Sequence, residues 1–173
     1  MYRIDRRDAG RMKIVIVGGV AGGASAAARL RRLMEGARIV LLERGEHISY
    51  ANCGLPYYIG GEITDREELT LQTPESFRAR FEVDVRVRHE AVGLDVAAGR
   101  LKVRNLATGE VYEEDYDRLI LAPGAEPLRP NLPGVEDSRV FTLRTIPDTY
   151  RIHAYIKEER PREALVVGGG FIG

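Results

Sequence analysis

Cysteine occurs once in the 173 residues, at Cys53, so no intrachain disulfide can form and a disulfide scaffold is excluded. A lone thiol fits a reducing compartment, and the expected location is the cytoplasm. No apolar run approaches the roughly 20 residues needed to span a bilayer. Residues 1–11 are charged and lack an apolar stretch, unlike a secretory signal. Neither charge sign is in excess, because 26 Lys and Arg balance 26 Asp and Glu. A neutral surface attracts neither nucleic acid nor an anionic membrane, so neither is expected as a partner. Lysine is scarce, with only Lys13, Lys102 and Lys157, and this arginine bias carries little functional weight. The three histidines, His47, His89 and His153, show no metal-ligand spacing with Cys53 or with one another, so no metal is expected. Low-complexity segments are absent.

What is there is a globular composition, 44% hydrophobic and 30% charged, sufficient to bury a core. Residues 13–17 (KIVIV) form a β-branched run of the kind found in buried parallel strands. Glycines follow, then helix formers over 24–34, Gly36 as a helix stop, and a second apolar run at 38–42 (RIVLL). Strand, glycine turn, helix and strand within about 30 residues predict a right-handed βαβ crossover. Further along, Thr73-Pro74 marks a helix start and 83–87 alternates as a strand. Segments 100–106 and 110–116 flank a turn at 107–109, and 118–121 (RLIL) is another buried strand. A proline-rich stretch over 123–147 precedes a helix over 147–159. The run 164–167 (ALVV) predicts a strand leading into the glycines of 168–173. This second strand-plus-glycine motif lacks a following helix to cover it, which leads to the expectation that the chain is part of a longer protein.

The first glycine motif reads Gly18-Gly19-Val20-Ala21-Gly22-Gly23. Aligned on G-x-G-x-x-G, Gly18 permits the tight turn and Gly23 the close packing of helix on strand, while Val20 departs from the usual middle glycine. Gly19 and Gly22 can supply that close approach instead. Backbone N–H groups of Val20, Ala21, Gly22 and Gly23 would then face a pyrophosphate at the positive end of the helix. Glu43 ends the second strand, 20 residues after Gly23, where a carboxylate can accept both ribose hydroxyl protons. Residues 13–43 thus predict a site for the ADP half of a dinucleotide.

Cys53 sits in Asn52-Cys53-Gly54-Leu55-Pro56, with Pro56 placed as in a first helical turn. A buried cysteine acting as a small hydrophobe is the common case, but a thiol at a helix N-terminus is the better nucleophile. Residues 18–33, the segment 49–61 (SYANCGLPYYIGG), 121–124 and the terminal glycine motif together resemble the pyridine nucleotide-disulfide oxidoreductases. The similarity is closest to the branch of coenzyme A disulfide reductases, NADH oxidases, peroxidases and polysulfide reductases. In the two-cysteine branch a second cysteine lies five positions on, where this chain has Tyr58. The resemblance therefore implies a single-cysteine mechanism. NAD(P)H reduces a flavin, the flavin reduces a Cys53 mixed disulfide or sulfenic acid, and the Cys53 thiolate attacks the next substrate.

The same resemblance implies FAD as cofactor, NADH or NADPH as reductant, and a homodimer for the full-length protein. It adds Arg44, Ala91, Ala122 and Gly124 to the cofactor contacts, although Pro123 replaces the threonine usual between the last two. Ser25, Arg29 and Arg32 share one helix face by their spacing. They read either as a solvated charged face or, with Ser49 and Asn52, as contacts to coenzyme A phosphates. Arg29 stands where that branch carries glutamine. The expected fold is α/β: a Rossmann-like FAD-binding domain with a parallel sheet and an inserted antiparallel hairpin, plus the first strand of a second nucleotide-binding domain. Its expected parts are an extension over 1–12, an incomplete FAD-binding segment over 13–145 and the start of an NAD(P)-binding domain over 146–173. The expected activity is reduction of coenzyme A disulfide or a related persulfide. The alternatives are an oxidase or peroxidase cycling Cys53 through sulfenic acid, and a non-catalytic flavin-domain module.

Overall fold

The computed structural model describes residues 12–168, which divide into two compact units. The first comprises the chain up to Ala51 together with Arg66–Glu126, and the second Asn52–Asp65 together with the chain from Pro127.

In the first unit, β1 (Lys13–Val17), β2 (Arg38–Glu43), β3 (Asp84–Val87) and β7 (Arg118–Leu121) form a parallel sheet in the order β3-β2-β1-β7. Because side chains alternate across a strand, the sheet has two apolar faces. Ile14, Ile16, Ile39 and Leu41 pack with Ala24 and Ala27 of α1 (Ala21–Leu33) and Phe77 of α3 (Pro74–Phe81). Val15, Val40 and Leu42 pack with Leu101 and Val103 of a second sheet. Each such side chain contributes roughly 1.5–3 kcal/mol by burial, and Val15, Ile16, Val40 and Leu41 are fully buried. That is why KIVIV and RIVLL are apolar throughout rather than alternating.

The second sheet is a three-stranded antiparallel meander, β4 (His89–Asp95), β5 (Arg100–Asn105) and β6 (Val111–Asp115), so the expected hairpin gains a strand at its N-terminal side. The chain passes from β3 to β4 through Arg88, whose φ of 58° is left-handed. Its amide donates to Gly45 O and its carbonyl accepts from Leu106, which fixes the bend. The meander is tied to the parallel sheet by Glu114, 6% exposed, which pairs with Lys13 at 2.6 Å and Arg86 at 2.5 Å. Burial pushes the Glu114 carboxyl up, but hydrogen bonds from Lys13 and Arg86 outweigh it and hold it below its ordinary value.

The second unit holds a 3-10 turn at Asn52–Gly54, α2 (Leu55–Ile59) and α4 (Ile146–Glu159), which pack together through Tyr58 against Tyr150 and His153. Thr145 opens α4 with a capping box, accepting from Asp148 N while the Asp148 carboxylate accepts from Thr145 N.

Two expectations change. The first helix begins at Ala21 rather than Ala24, because the glycines expected to precede it form its opening turn. The strand expected over 164–167 is not formed: the segment joins no sheet, and Leu165 and Val167 remain 88% and 86% exposed. A β-branched run becomes a strand only when another backbone meets its N–H and C=O groups. Residues 1–11 of the expected extension and 169–173 of the second glycine motif lie outside the described residues.

Candidate nucleotide site and redox cysteine

The order β3-β2-β1-β7 sends the chain outward from β1 in both directions, which places a crevice at the carboxyl ends of the strands. Gly18 leaves β1 there with φ +97°, and a Cβ on it would stand 2.0 Å from Ala122 O. Only glycine fits that crossing. Ala122 itself donates to Val17 O, so the end of β7 is stitched to the glycine loop. A Cβ on Gly23 would meet Gly18 O at 1.7 Å, so the second glycine lets α1 sit against β1. A Cβ on Gly22 would meet Ala122 Cβ at 3.3 Å, tighter than an ordinary van der Waals contact, so the neighbour would have to give by a few tenths of an ångström.

Val20 is the N-cap of α1 and offers no capping side chain. Its carbonyl accepts the first helical bond, from Ala24 N. The amides of Ala21, Gly22 and Gly23 are therefore the unpaired donors of the first turn. That turn contains no acidic residue to offset the positive end of the helix. The middle position of the fingerprint thus lies at the N-cap, at a φ of −90°, outside the left-handed region that would demand glycine.

Glu43 closes the other side. Its Oε2 accepts from Gly19 N at 2.7 Å and its Oε1 from Gly45 N at 2.7 Å. Gly19 has no room for a side chain, since a Cβ would meet Ile48 Cγ2 at 2.8 Å and Glu43 Cβ at 3.0 Å. Two bonds leave the carboxylate further lone pairs for incoming hydroxyl donors. Gly19 was expected to give close approach to the phosphates and Gly45 went unmarked; both donate to Glu43 and so aim it, a role that no motif encodes.

A cavity of about 250 Å³ opens at this edge, lined by Gly18, Glu43, Arg44, Ala91 and Gly124 together with His89, Glu90 and Glu126. Whole-ligand pockets span roughly 300–1,000 Å³, so this volume suits part of a dinucleotide. Five of the ten expected cofactor residues meet around it; Val20, Ala21, Gly22 and Gly23 form the adjoining helix start, and Ala122 directly follows β7. Arg44 forms an ion pair with Glu126 across the mouth. His89 and Glu126 were not singled out for this site beforehand; the bend at Arg88, which brings β4 to this edge, has no sequence signature. Among the described residues no cluster of His, Cys, Asp or Glu could hold a metal, and no helix is long and apolar enough to cross a membrane.

Ser25, Arg29 and Arg32 are all exposed on one side of α1, as their spacing requires. Arg31, between them, faces inward instead and donates to Phe81 O, Glu82 O and Ala37 O, closing the C-terminal ends of α1 and α3. Ser49 adopts φ 46°, unusual for a residue with a side chain. Its amide donates to Gly19 O and its carbonyl accepts from Leu71, which holds the conformation. In the second unit, Cys53 is exposed within the 3-10 turn. The turn runs directly into α2, with Gly54 as N-cap and Pro56 in the first turn. Asn52 Oδ1 beside it is buried without a hydrogen-bond partner. Tyr58, in the place of a second cysteine, is 5% exposed and packed in the aromatic cluster with α4.

Residues 12–173 match the pyridine nucleotide-disulphide oxidoreductase family. A coenzyme A disulfide reductase of Staphylococcus haemolyticus (strain JCSC1435) is 39% identical over 160 residues, covering 92% of this chain and 36% of that protein. The chain thus spans about a third of that relative's length. Reduced Bacillus anthracis CoADR-RHD superposes with a TM-score of 0.91 at 56% identity, over 94% of this chain and 29% of the other. An NAD-dependent persulfide reductase from A. fulgidus superposes with a TM-score of 0.81 at 32% identity, over 85% and 27%. A fingerprint built on Gly18, Gly23 and Glu43, and a family match running from β1 through the Cys53 turn to the last residue, lead to one assignment: this chain belongs to the pyridine nucleotide-disulphide oxidoreductases.

Proposed function

We propose that this chain is the ADP-binding and redox-cysteine portion of an FAD-dependent NAD(P)H:disulfide oxidoreductase that reduces coenzyme A disulfide or a related persulfide. The observation that carries the reading is Cys53, exposed in its turn, in a chain 39% identical to a coenzyme A disulfide reductase. The first unit fits the adenine-dinucleotide half of FAD. Glu43 retains acceptors for ribose hydroxyls, the α1 amides offer donors to a diphosphate, and no acidic side chain opposes that charge. When bound, FAD would relay an electron pair from the nicotinamide to sulfur.

The remaining chemistry belongs to Cys53. Its thiolate attacks one sulfur of the substrate disulfide, forming a Cys53 mixed disulfide and releasing one thiolate, which takes a proton from solvent. Two electrons and a second proton then cleave the mixed disulfide, restoring the Cys53 thiolate and freeing the second thiol. Tyr58 leaves no second cysteine to form an internal disulfide, so the resting oxidised state is a mixed disulfide with a small thiol. Arg29 and Arg32, exposed on α1, are suited to grip coenzyme phosphates with paired N–H donors, and Ser49 and Asn52 supply further polar contacts. In the full-length protein, Cys53→Ser abolishes NAD(P)H-dependent turnover of coenzyme A disulfide, at least 10³-fold by the usual loss of a covalent nucleophile. Cys53-dependent turnover of peroxide with none of the disulfide would instead assign a sulfenic acid cycle. Disulfide turnover that survives Cys53→Ser would refute the mechanism.

A further inference from the structure

Among the described residues, the left-handed positions that are not glycine are Ser49, Glu82, Arg88 and Arg160. Glu82 and Arg160 cap the ends of α3 and α4, and Arg88 turns the chain from one sheet to the other. Ser49 closes no helix and lies between β2 and the Cys53 turn, so its φ of 46° needs another reason. A residue with a side chain adopts that conformation at a cost. The Ser49 amide donates to Gly19 O at 2.9 Å, and its carbonyl accepts from Leu71 N at 3.0 Å. The two bonds leave on either side of the Ser49 Cα, so φ and ψ there fix the angle between them. Beyond it, Tyr50 bridges to Thr70 and Ala51 N donates to Leu69 O at 2.8 Å. Residues 49–51 are thus laid along 69–71, and the Ser49 amide is turned toward the glycine loop.

Gly19 is the residue that needs this hold. Without a side chain it has wide backbone freedom, yet its N–H points at Glu43 Oε2, 2.7 Å away. Ile48, fully buried, closes on the Gly19 Cα, where a Cβ would stand 2.8 Å from its Cγ2. The Ser49 N–H fixes the Gly19 carbonyl. With its Cα and carbonyl held, Gly19 can direct its N–H over only a narrow range. We infer that Ser49 is a positioning residue of the nucleotide site: its left-handed backbone holds Gly19, and Gly19 aims the Glu43 carboxylate at the ribose. The inference rests on the proposed dinucleotide site and deepens it. It gives Ser49 a task carried by its backbone, separate from the coenzyme contact proposed for its side chain. A Ser49 outside the left-handed region could not keep both Gly19 O and Leu71 N. Gly19 would then swing, and Glu43 would retain only Gly45 of its two amide donors. A ribose that donates both hydroxyls binds a held carboxylate more tightly than a loose one, because the ordering is already done.

The test is a double-mutant cycle on FAD affinity in the full-length protein, titrated from its flavin-free form. In Ser49→Val the side chain branches at Cβ and tolerates the left-handed region worst, whereas Ser49→Gly enters it freely. Ser49→Gly is expected to bind FAD at least about 5-fold more tightly than Ser49→Val. In a Glu43→Gln background that ratio falls toward one, since effects that pass through one residue do not add. A merely structural loss would give the same ratio in both backgrounds. The wild type supplies a second measurement, independent of how well Ser49→Val folds. Opening of 49–51 loosens Glu43, so FAD at about ten times its Kd should slow exchange of the Ser49 and Leu71 amides about 10-fold. The amide of Asn105, bonded to Glu110 O at the far turn of the meander, is the reference and should keep its rate. Equal affinities of the two variants, a ratio that survives Glu43→Gln, or exchange at Ser49 and Leu71 that merely tracks Asn105 overturns the inference and leaves the dinucleotide site standing. Failure of the flavin-free wild type to bind FAD overturns the site and the inference together.

Discussion

Single residues decide how closely the nucleotide loop can be built. Gly23 and Gly60 are both glycines near helix starts or ends, yet their surroundings differ. A methyl group on Gly23 would stand 1.7 Å from Gly18 O, within the backbone of the loop itself, whereas at Gly60 the nearest atom is 3.5 Å away. Gly23→Ala is therefore expected to destabilise by about 3 kcal/mol or more, because α1 must lift from β1. Gly60→Ala, at an ordinary right-handed φ of −74°, should stay within about 0.5 kcal/mol of the parent. Thermal or denaturant melts of the two variants compare them directly; equal effects would refute the contact argument. Glu43→Gln is a second case at this scale. The amide can no longer accept from both Gly19 and Gly45, and one N–H faces an NH₂ instead. The loss should appear as weaker FAD retention, by about 10-fold or more, measured as flavin released on dialysis.

Elements are held by charges whose protonation matters. Glu114 of β6 joins Lys13 of β1 and Arg86 of β3, so one buried carboxylate fastens the meander to the parallel sheet. Its carboxyl is depressed from 4.5 because the two cations outweigh the cost of burial. A depressed carboxyl contributes stability above its unfolded value and loses it as pH falls through the lower folded value. Glu114→Gln should thus cost about 2 kcal/mol near neutrality, since it removes the buried anion that both cations share and leaves Lys13 only Asp115 and Arg86 only Asp84. The gap from wild type should shrink below roughly pH 4.5 as the native carboxyl also protonates. Denaturant midpoints of both proteins from roughly pH 7 to 3 check this; a gap constant across that range would exclude the ionic clamp. At the other end of the chain, Thr145 caps α4, which braces Tyr58 and with it the helix that follows Cys53. Thr145→Ala is expected to cost about 1 kcal/mol.

At the scale of the whole molecule, two compact units share the proposed chemistry: the nucleotide loop and Glu43 in one, Cys53 and its aromatic support in the other. Relatives extend well beyond the matched region, with this chain covering 36% of one curated coenzyme A disulfide reductase. Reductase turnover is accordingly expected from the full-length protein and not from residues 1–173 alone, which should hold FAD weakly or not at all. An isolated chain that purifies yellow, keeps its flavin through dialysis and oxidises NADH would overturn that expectation.

The local features of this protein were legible in its residues. KIVIV and RIVLL are apolar on both sides because both faces of their sheet are covered, and periodicity reports burial directly. Thr73-Pro74 announces α3 through a cap that involves only neighbouring residues. Gly18, Gly23 and Glu43 are spaced by the lengths of a turn, a helix and a strand. Other features depended on residues far apart in sequence meeting in space. The run at 164–167 has strand composition and no strand, because pairing is decided by a second backbone rather than by propensity. Gly18 must be glycine because Ala122, 104 positions away, passes against it. His89 reads as an isolated histidine in sequence, and it reaches the nucleotide cavity only because Arg88 turns the chain from one sheet into the other. Spacing along the chain encodes what adjacent residues do to each other, while close approach between distant segments exists only once the core has packed.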